Sequence, residues 1–132
     1  MRAWLVDEVG QLQRSIQALA ASWSEALKAG NHRKANSKNA AISKVARRLR
    51  KDKRLSESVL GPLLGDADPS VRLMASVHSL DLGIRLQQAE QVLEEIANNP
   101  NIPVIRLMAR IGLANWRKSE GKASLVSDKG SG

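Results

Sequence analysis

The sequence contains no cysteine, phenylalanine or tyrosine, and its only aromatic residues are three tryptophans. The absence of cysteine excludes disulfides, thiol nucleophiles and thiolate metal sites. Without phenylalanine or tyrosine, the core has to be built from Leu, Ile, Val, Ala and Met, a set that favours helices over sheets. We therefore expect an all-α protein and, at 132 residues, a single domain.

Long hydrophobic runs are also missing. No apolar segment approaches the roughly 20 residues of a membrane-spanning helix. Near the N-terminus, Asp7 and Glu8 interrupt the chain before the apolar region of a secretory signal could form. The sequence therefore predicts no membrane association and a cytoplasmic location.

Sequence patterns typical of enzymes are absent as well. No serine lies in a nucleophile-elbow sequence, and there is neither a phosphate-binding loop nor a dinucleotide fingerprint. His32 and His78 are isolated from each other, whereas a metal site needs several ligands at defined spacing. Asp66 and Asp68 lie in a turn before a helix, where capping explains both carboxylates. We expect a protein without enzymatic activity, metal or cofactor.

Two long helices are predicted in the first part of the chain. The apolar residues of the first recur at alternating spacings of four and three, which places them on one side of a helix: Leu5, Val9, Leu12, Ile16, Leu19, Trp23 and Ala26. Gly30 and Asn31 are suited to ending this helix and capping the next. The second helix is expected from about His32 to Arg50. Since the connection is short, the two should form an antiparallel hairpin within residues 1–54.

Four shorter helices are predicted in the remainder. Ser56 is the expected N-cap of a helix that ends at Leu64. Asp68 is the expected N-cap of the next, which begins at Pro69. The predicted ranges are 56–64, 69–82, 87–98 and 103–116, and residues 119–132 are predicted to be a flexible tail.

The chain contains an internal repeat. The sequence PSVRLMA at 69–75 recurs as PVIRLMA at 103–109, an offset of 34 residues with five identical positions. A similar apolar element precedes each copy, VLGPLL at 59–64 and VLEEIA at 92–97. Repetition at this period is the signature of stacked helix pairs.

The segment DADPSVRLMA at 66–75 resembles the HEAT consensus. That resemblance implies that Asp66 and Arg72 hold adjacent turns together by charge-assisted hydrogen bonds. In the second copy Pro100 stands where an aspartate would align, so Arg106 either finds another acceptor or faces solvent.

A looser resemblance extends upstream. EALKAGNHRKAN at 25–36, followed by VRLMA at 71–75 and LANW at 113–116, is similar to a family of short bacterial HEAT-like proteins classed as a domain of unknown function. It covers about residues 5–118. The resemblance implies a HEAT-like α-solenoid of about six helices, paired antiparallel, over residues 1–118, with two repeats in 55–118. It supplies no catalytic residues.

The net charge of +8 is concentrated in one segment. Between Lys28 and Arg54 there are eleven Lys and Arg residues and one acid, whereas the rest of the chain carries ten basic and twelve acidic residues. On the second helix, the basic residues project from the side opposite its apolar arc. The predicted partner-binding residues are Arg33, Lys44, Arg47, Arg48, Lys51 and Arg54. The alternative is that they form only a solvated face.

These observations lead to three hypotheses. The first is a protein-binding module, specifically an immunity or antitoxin-like protein whose basic helix covers an acidic surface of a bacterial toxin. The second is binding of the basic helix to the phosphate backbone of a nucleic acid. The third is homo-oligomerisation through the first helix, whose heptad spacing could form a seam with another chain.

Overall fold

Six helices make up the part of the chain that the computed structural model describes, which is the backbone of residues 3–131 and the side chains of residues 7–120. They are α1 (Ala3–Lys28), α2 (His32–Arg50), α3 (Lys53–Leu63), α4 (Pro69–Leu82), α5 (Leu86–Ala97) and α6 (Pro103–Ser131). No strand occurs among these residues, so the predicted all-α class is confirmed. None of the described helices is both long and apolar enough to cross a membrane.

The helices α1 and α2 form the predicted hairpin. Gly30 has a φ of 72°, the left-handed conformation that ends α1, and the Asn31 side chain accepts a hydrogen bond of 3.1 Å from the Lys34 backbone N–H. The apolar residues of α1 pack inside the molecule, with Ile16 and Trp23 buried against the common core. The apolar side of α1, which the third hypothesis assigns to contact with a second chain, therefore already packs against α2, α3 and α4 of the same chain.

The helix α3 begins at Lys53, three residues before the predicted N-cap, so the prediction of Ser56 as the cap is wrong. The cap is Asp52, whose carboxylate accepts a hydrogen bond of 3.1 Å from the Leu55 backbone N–H. Ser56 is buried one turn later, and its Oγ donates to the carbonyl oxygens of Leu49 at 2.5 Å and Asp52 at 3.0 Å. This hydroxyl fixes the corner between α2 and α3, because it joins the last turn of one helix to the first turn of the other.

The helix α4 occupies the centre of the molecule. It packs against α1, α3, α5 and α6, and its buried residues lie all around its axis rather than on one side. Asp68 caps it as predicted, its Oδ1 accepting from the Ser70 N–H at 2.9 Å and from the Ser70 Oγ at 2.8 Å. Since α4 has these four neighbours, its contacts position α1, α3, α5 and α6, whereas α2 is held mainly by α1.

The arrangement of the pairs is less regular than a simple stack. The most extensive contacts join α1 to α2, α4 to α5 and α5 to α6. Among the described residues, α2 makes no extensive contact with α4, and α3 makes none with α5. Instead α1 runs across both α3 and α4 and reaches α6. The six-helix, all-α description therefore holds, and the HEAT-like solenoid remains a prediction.

The last helix is longer than predicted. Its end was expected near Trp116, but α6 continues to Ser131, so that boundary is wrong. No proline interrupts the chain after Pro103, and Gly121 and Gly130 weaken a helix by about 1 kcal/mol each relative to alanine without ending it. The predicted flexibility of residues 119–132 concerns side chains that lie almost wholly outside the described ones, and it stays a prediction.

Two serines of α4 provide a test of its central position. Ser76 and Ser79 are both fully buried, but only the Ser76 Oγ has a hydrogen bond, donated to the Arg72 carbonyl oxygen at 2.7 Å. A buried polar group without a partner costs about 1–3 kcal/mol, and alanine is a better helix former. We expect Ser79→Ala to raise the free energy of unfolding by about 1–2 kcal/mol in urea denaturation.

The matched control is Ser76→Ala in the same helix. It should leave stability unchanged or lower it by up to about 1 kcal/mol, because the lost hydrogen bond offsets the gain in helix propensity. A decrease in stability for Ser79→Ala would contradict the prediction, since it would mean that this hydroxyl has a partner.

His78 makes α4 sensitive to pH. Burial lowers the pKa of His78, the Asp81 carboxylate opposes that effect, and the Arg50 guanidinium adds to it. The folded state therefore keeps the imidazole neutral to a lower pH than the unfolded chain, which takes up a proton at a pKa of about 6.5. Because the unfolded state binds more protons below that pH, the contribution of His78 to stability is complete above it and is lost as the pH falls through it.

We expect the free energy of unfolding to decrease between pH 7.5 and 5.5, by at most about 1.4 kcal/mol per pH unit from this group. His78→Gln should flatten the dependence in that range, as measured by urea denaturation at several pH values. His32→Gln, which changes the exposed histidine, is the control and should retain the wild-type slope. An unchanged slope in His78→Gln would contradict the assignment.

Candidate partner-binding surface

The predicted basic residues of α2 lie on its solvent side. Arg33, Lys44, Arg47 and Lys51 are exposed, and at 100° per residue they fall within an arc of about 60°. The buried residues of the helix lie on the opposite side: Ala35, Ile42, Ala46 and Leu49. Arg48 and, in the first turn of α3, Arg54 are exposed beside this arc. We call these six exposed residues, from Arg33 to Arg54, the basic surface.

One member of the basic surface is paired within the molecule. Arg48 forms a salt bridge with Glu8, which links α2 to α1. The other five form no salt bridge with any described side chain. Exposed arginines elsewhere do find acids, since Arg117 binds Glu94 at 2.6 Å and Glu90 at 3.4 Å. The positive charge of the basic surface is thus left largely uncompensated.

The charge is densest where α2 meets α3. Residues 47–54 contain six basic residues, and the single acid, Asp52, is engaged as the cap of α3. Basic residues in the last turn of α2 complement the helix dipole, whereas Lys53 and Arg54 in the first turn of α3 oppose it. Local stability therefore does not account for Lys53 and Arg54 at this position.

A shallow depression of about 320 Å³ lies between this corner and the end of α4. It is lined by Arg50, Lys53, Ser56, Asp81, Leu82 and Ile84. Arg50, which sequence reasoning did not single out, donates to Asp81 at 2.5 Å and so ties α2 to α4. Its partner lies 31 residues away in the sequence, and no local pattern reveals such a pair.

The depression lacks the arrangement of a catalytic site. Its one hydroxyl, Ser56 Oγ, donates to backbone carbonyls, and its one carboxylate, Asp81, is paired with Arg50. Asp81 follows His78 by one helical turn, but no group of three or more potential metal ligands occurs among the described residues. The surface therefore offers charge and shape for binding, without a nucleophile held beside a base.

Asp66 and Arg72 are joined by a charge-assisted hydrogen bond, which ends on the backbone of Asp66. Arg72 Nη1 donates to the backbone carbonyl of Asp66 at 2.9 Å. The Asp66 carboxylate instead accepts from the Asp68 backbone N–H at 2.8 Å and from Gln17 Nε2 at 2.9 Å. The Asp66 carboxylate does not bind Arg72, because an aspartate side chain in a turn bonds to the backbone two residues on. The link to Gln17 ties this turn to α1.

In the second repeat, Arg106 finds another acceptor, one of the two possibilities left open by the sequence. Its Nε donates to the Ala97 carbonyl at 3.3 Å, and Arg110 Nε donates to the same oxygen at 3.2 Å. This carbonyl belongs to the last turn of α5, where backbone oxygens lack partners within the helix. The two arginines therefore join the end of α5 to α6, which is a structural task.

Comparison with known proteins adds no further constraint, since no known protein family, curated protein or solved structure matches this chain. The likeness to short bacterial HEAT-like proteins thus remains a prediction from the residues quoted above.

Proposed function

We propose that this protein is a non-enzymatic binding scaffold of the immunity or antitoxin type, which uses its basic surface to cover an acidic region of a bacterial toxin. In this proposal the HEAT-like helix pairs are a rigid frame and the solvent side of α2, with the first turn of α3, is the working surface. The toxin would be inhibited because its substrate is sterically and electrostatically excluded.

The observation that carries the proposal is the set of five exposed basic residues without an acidic partner among the described side chains: Arg33, Lys44, Arg47, Lys51 and Arg54. Charges of one sign on one face destabilise a fold by mutual repulsion. Complementary charge on a partner relieves that repulsion, raises the association rate and selects among partners. A surface of this kind is suited to an acidic protein.

The hydroxyl and carboxylate groups at the ends of α3 and α4 also support binding over catalysis. Asp52 and Asp68 cap helices, Asp66 closes a turn, and Ser56 joins α2 to α3. Each of these groups is occupied with holding the frame. The resemblance to short bacterial HEAT-like proteins, with a charged face and no catalytic motif, supports an inhibitor in particular.

The test compares two variants of equal net charge, +6. Arg47→Gln/Lys51→Gln removes two positive charges from the basic surface, whereas Gln87→Glu/Gln91→Glu adds two negative charges at exposed positions of α5. Each tagged protein is used to capture partners from an extract of the source cells, and affinity is then measured with the purified partner. Since two exposed pairs are worth roughly 0.4–2 kcal/mol together, we expect about 2- to 30-fold weaker binding for the α2 variant alone.

Equal weakening in both variants would show that only net charge matters and would contradict the assignment of the surface. Recovery of no stoichiometric protein by the wild type would contradict the binding function itself. The inhibitor proposal further requires that the wild type protects cells from expression of the captured partner, and that the α2 variant protects them less.

Nucleic acid is the second candidate, and the six basic residues within 47–54 favour it. Phosphate binding releases counterions, so the logarithm of affinity falls linearly with the logarithm of salt concentration. We expect a steep dependence for a generic DNA duplex if this function is correct, and Arg47→Gln/Lys51→Gln should reduce the slope by about 2. A flat response to salt, or no binding at 50 mM salt, would exclude this candidate.

A further inference from the structure

One side of α6 exposes large apolar residues to solvent in the described part of the chain. Leu107 is 53% exposed and Ile111 is 46% exposed. Ala114 is exposed on the same side one turn later, and Val104 is partly exposed one turn earlier. The spacings of three and four residues place these four side chains in line. We call them the exposed apolar stripe.

The internal repeat places an equivalent set of apolar residues on α4, where a neighbouring helix covers them. At the offset of 34 residues, Leu107 corresponds to Leu73 and Ile111 corresponds to Val77. Leu73 is only 2% exposed, and Val77 packs against the core. On this side of α4, Val77 faces Gly112 of α6. The two lie close together, since a Cβ added to Gly112 would lie 3.5 Å from Val77 Cγ2, at van der Waals contact distance.

The same apolar pattern is therefore buried by a helix in the first copy and left open in the second. In stacked helical repeats, the outermost helix normally presents a polar outer face. The described part of α6 departs from that rule at Leu107 and Ile111. A helix laid on the exposed apolar stripe would repeat the packing that α6 already makes on α4.

The charges beside the stripe indicate the kind of helix. Between Pro103 and Ser119, α6 carries four basic residues and no acid. Arg110 is exposed next to Leu107 and Ile111, and its guanidinium keeps donors beyond the Nε that bonds the Ala97 carbonyl. Lys118 is exposed one turn beyond Ala114, in line with the stripe. The nearest acids on α5, Glu90 and Glu94, are paired with Arg117. A second copy of this chain would bring a net charge of +8 against an equally basic surface.

We propose that the exposed apolar stripe binds an amphipathic helix of a partner protein that carries acidic residues beside its apolar side. The apolar residues of that helix pack on Leu107, Ile111 and Ala114, and its flanking Asp or Glu residues face Arg110 and Lys118. This surface is distinct from the basic surface, since α6 and α2 make no extensive contact among the described residues. It is the helix-in-groove mode of recognition applied to the open end of a repeat stack.

The probe is a synthetic helical peptide of roughly 20 residues, with Leu at positions spaced by three and four and Glu on both flanks. Fluorescence anisotropy with the full-length protein should give a Kd below about 1 mM. Leu107→Ser/Ile111→Ser should weaken binding about tenfold or more, because it removes the two most exposed anchors. The control is Leu86→Ser, which removes a third exposed apolar side chain, 41% exposed, from the start of α5 and should bind as the wild type does.

Several results would overturn the proposal. The first is no binding of the Glu peptide to a wild type that circular dichroism shows to be folded. Equal binding of a peptide with Lys in place of Glu would remove the acidic requirement. Weakening by Arg47→Gln/Lys51→Gln as strong as by the α6 variant would move the site to the basic surface. Sedimentation showing a wild-type dimer that Leu107→Ser/Ile111→Ser dissociates would identify a second copy as the occupant.

Failure here is distinguishable from failure of the proposed function. The peptide experiment depends on α6 and is expected to be unaffected by charge removal on α2. The capture experiment depends on α2, and its control is the variant that adds two negative charges on α5.

Discussion

The structure depends on one constraint, the burial of α4 on all sides. This helix has 14 residues, and α1, α3, α5 and α6 all pack against it. A helix surrounded in this way has little surface left for water, so small and apolar residues occupy most of its circumference, and its exposed carboxylate, Asp81, lies in the last turn. Its hydroxyl groups then need partners within the protein. Ser70 and Ser76 have them, while Ser79 does not.

Most of the charged residues lie on the helices around α4, and the two that α4 itself carries, Arg72 and Asp81, are each bonded to a neighbouring residue. The ion pairs join neighbouring elements at the surface: Glu8 with Arg48, Arg50 with Asp81, and Arg117 with Glu90 and Glu94. Exposed pairs of this kind contribute little, typically up to about 1 kcal/mol each. The frame is therefore held by apolar packing. The five basic residues that pair with no described acid can be changed without removing an ion pair seen in the described part of the chain.

Much of the fold could be predicted from the sequence, and the exceptions have physical reasons. The apolar spacing of three and four residues predicts α1, and Gly30, Asn31 and Asp68 mark helix ends correctly because a cap is a local interaction. The start of α3 was misplaced because Asp52 and Ser56 are both good caps. Only the tertiary contact of Ser56 with Leu49 decides between them. The Arg50–Asp81 pair, 31 residues apart, was equally out of reach.

The internal repeat shows that a sequence motif alone does not determine which of its residues are exposed. Leu73 and Leu107 stand in the same motif, yet one is buried and the other is half exposed. The difference comes from what lies beside each helix, and no residue within the motif records it. For the basic surface the sequence did better, because helical geometry alone places Lys44, Arg47 and Lys51 opposite Ile42. It could not show that Arg48 is paired with Glu8.

The two candidate surfaces are connected through the net charge. On a neutral protein, exposed side chains such as Leu107 and Ile111 would favour self-association, because the hydrophobic effect does not distinguish a second copy from another partner. A net charge of +8 opposes the approach of a second copy at moderate ionic strength, and it does so without blocking an acidic partner. The basic residues thus do more than mark one binding face. They also favour an exposed apolar stripe on α6 that stays open until a chain of opposite charge covers it.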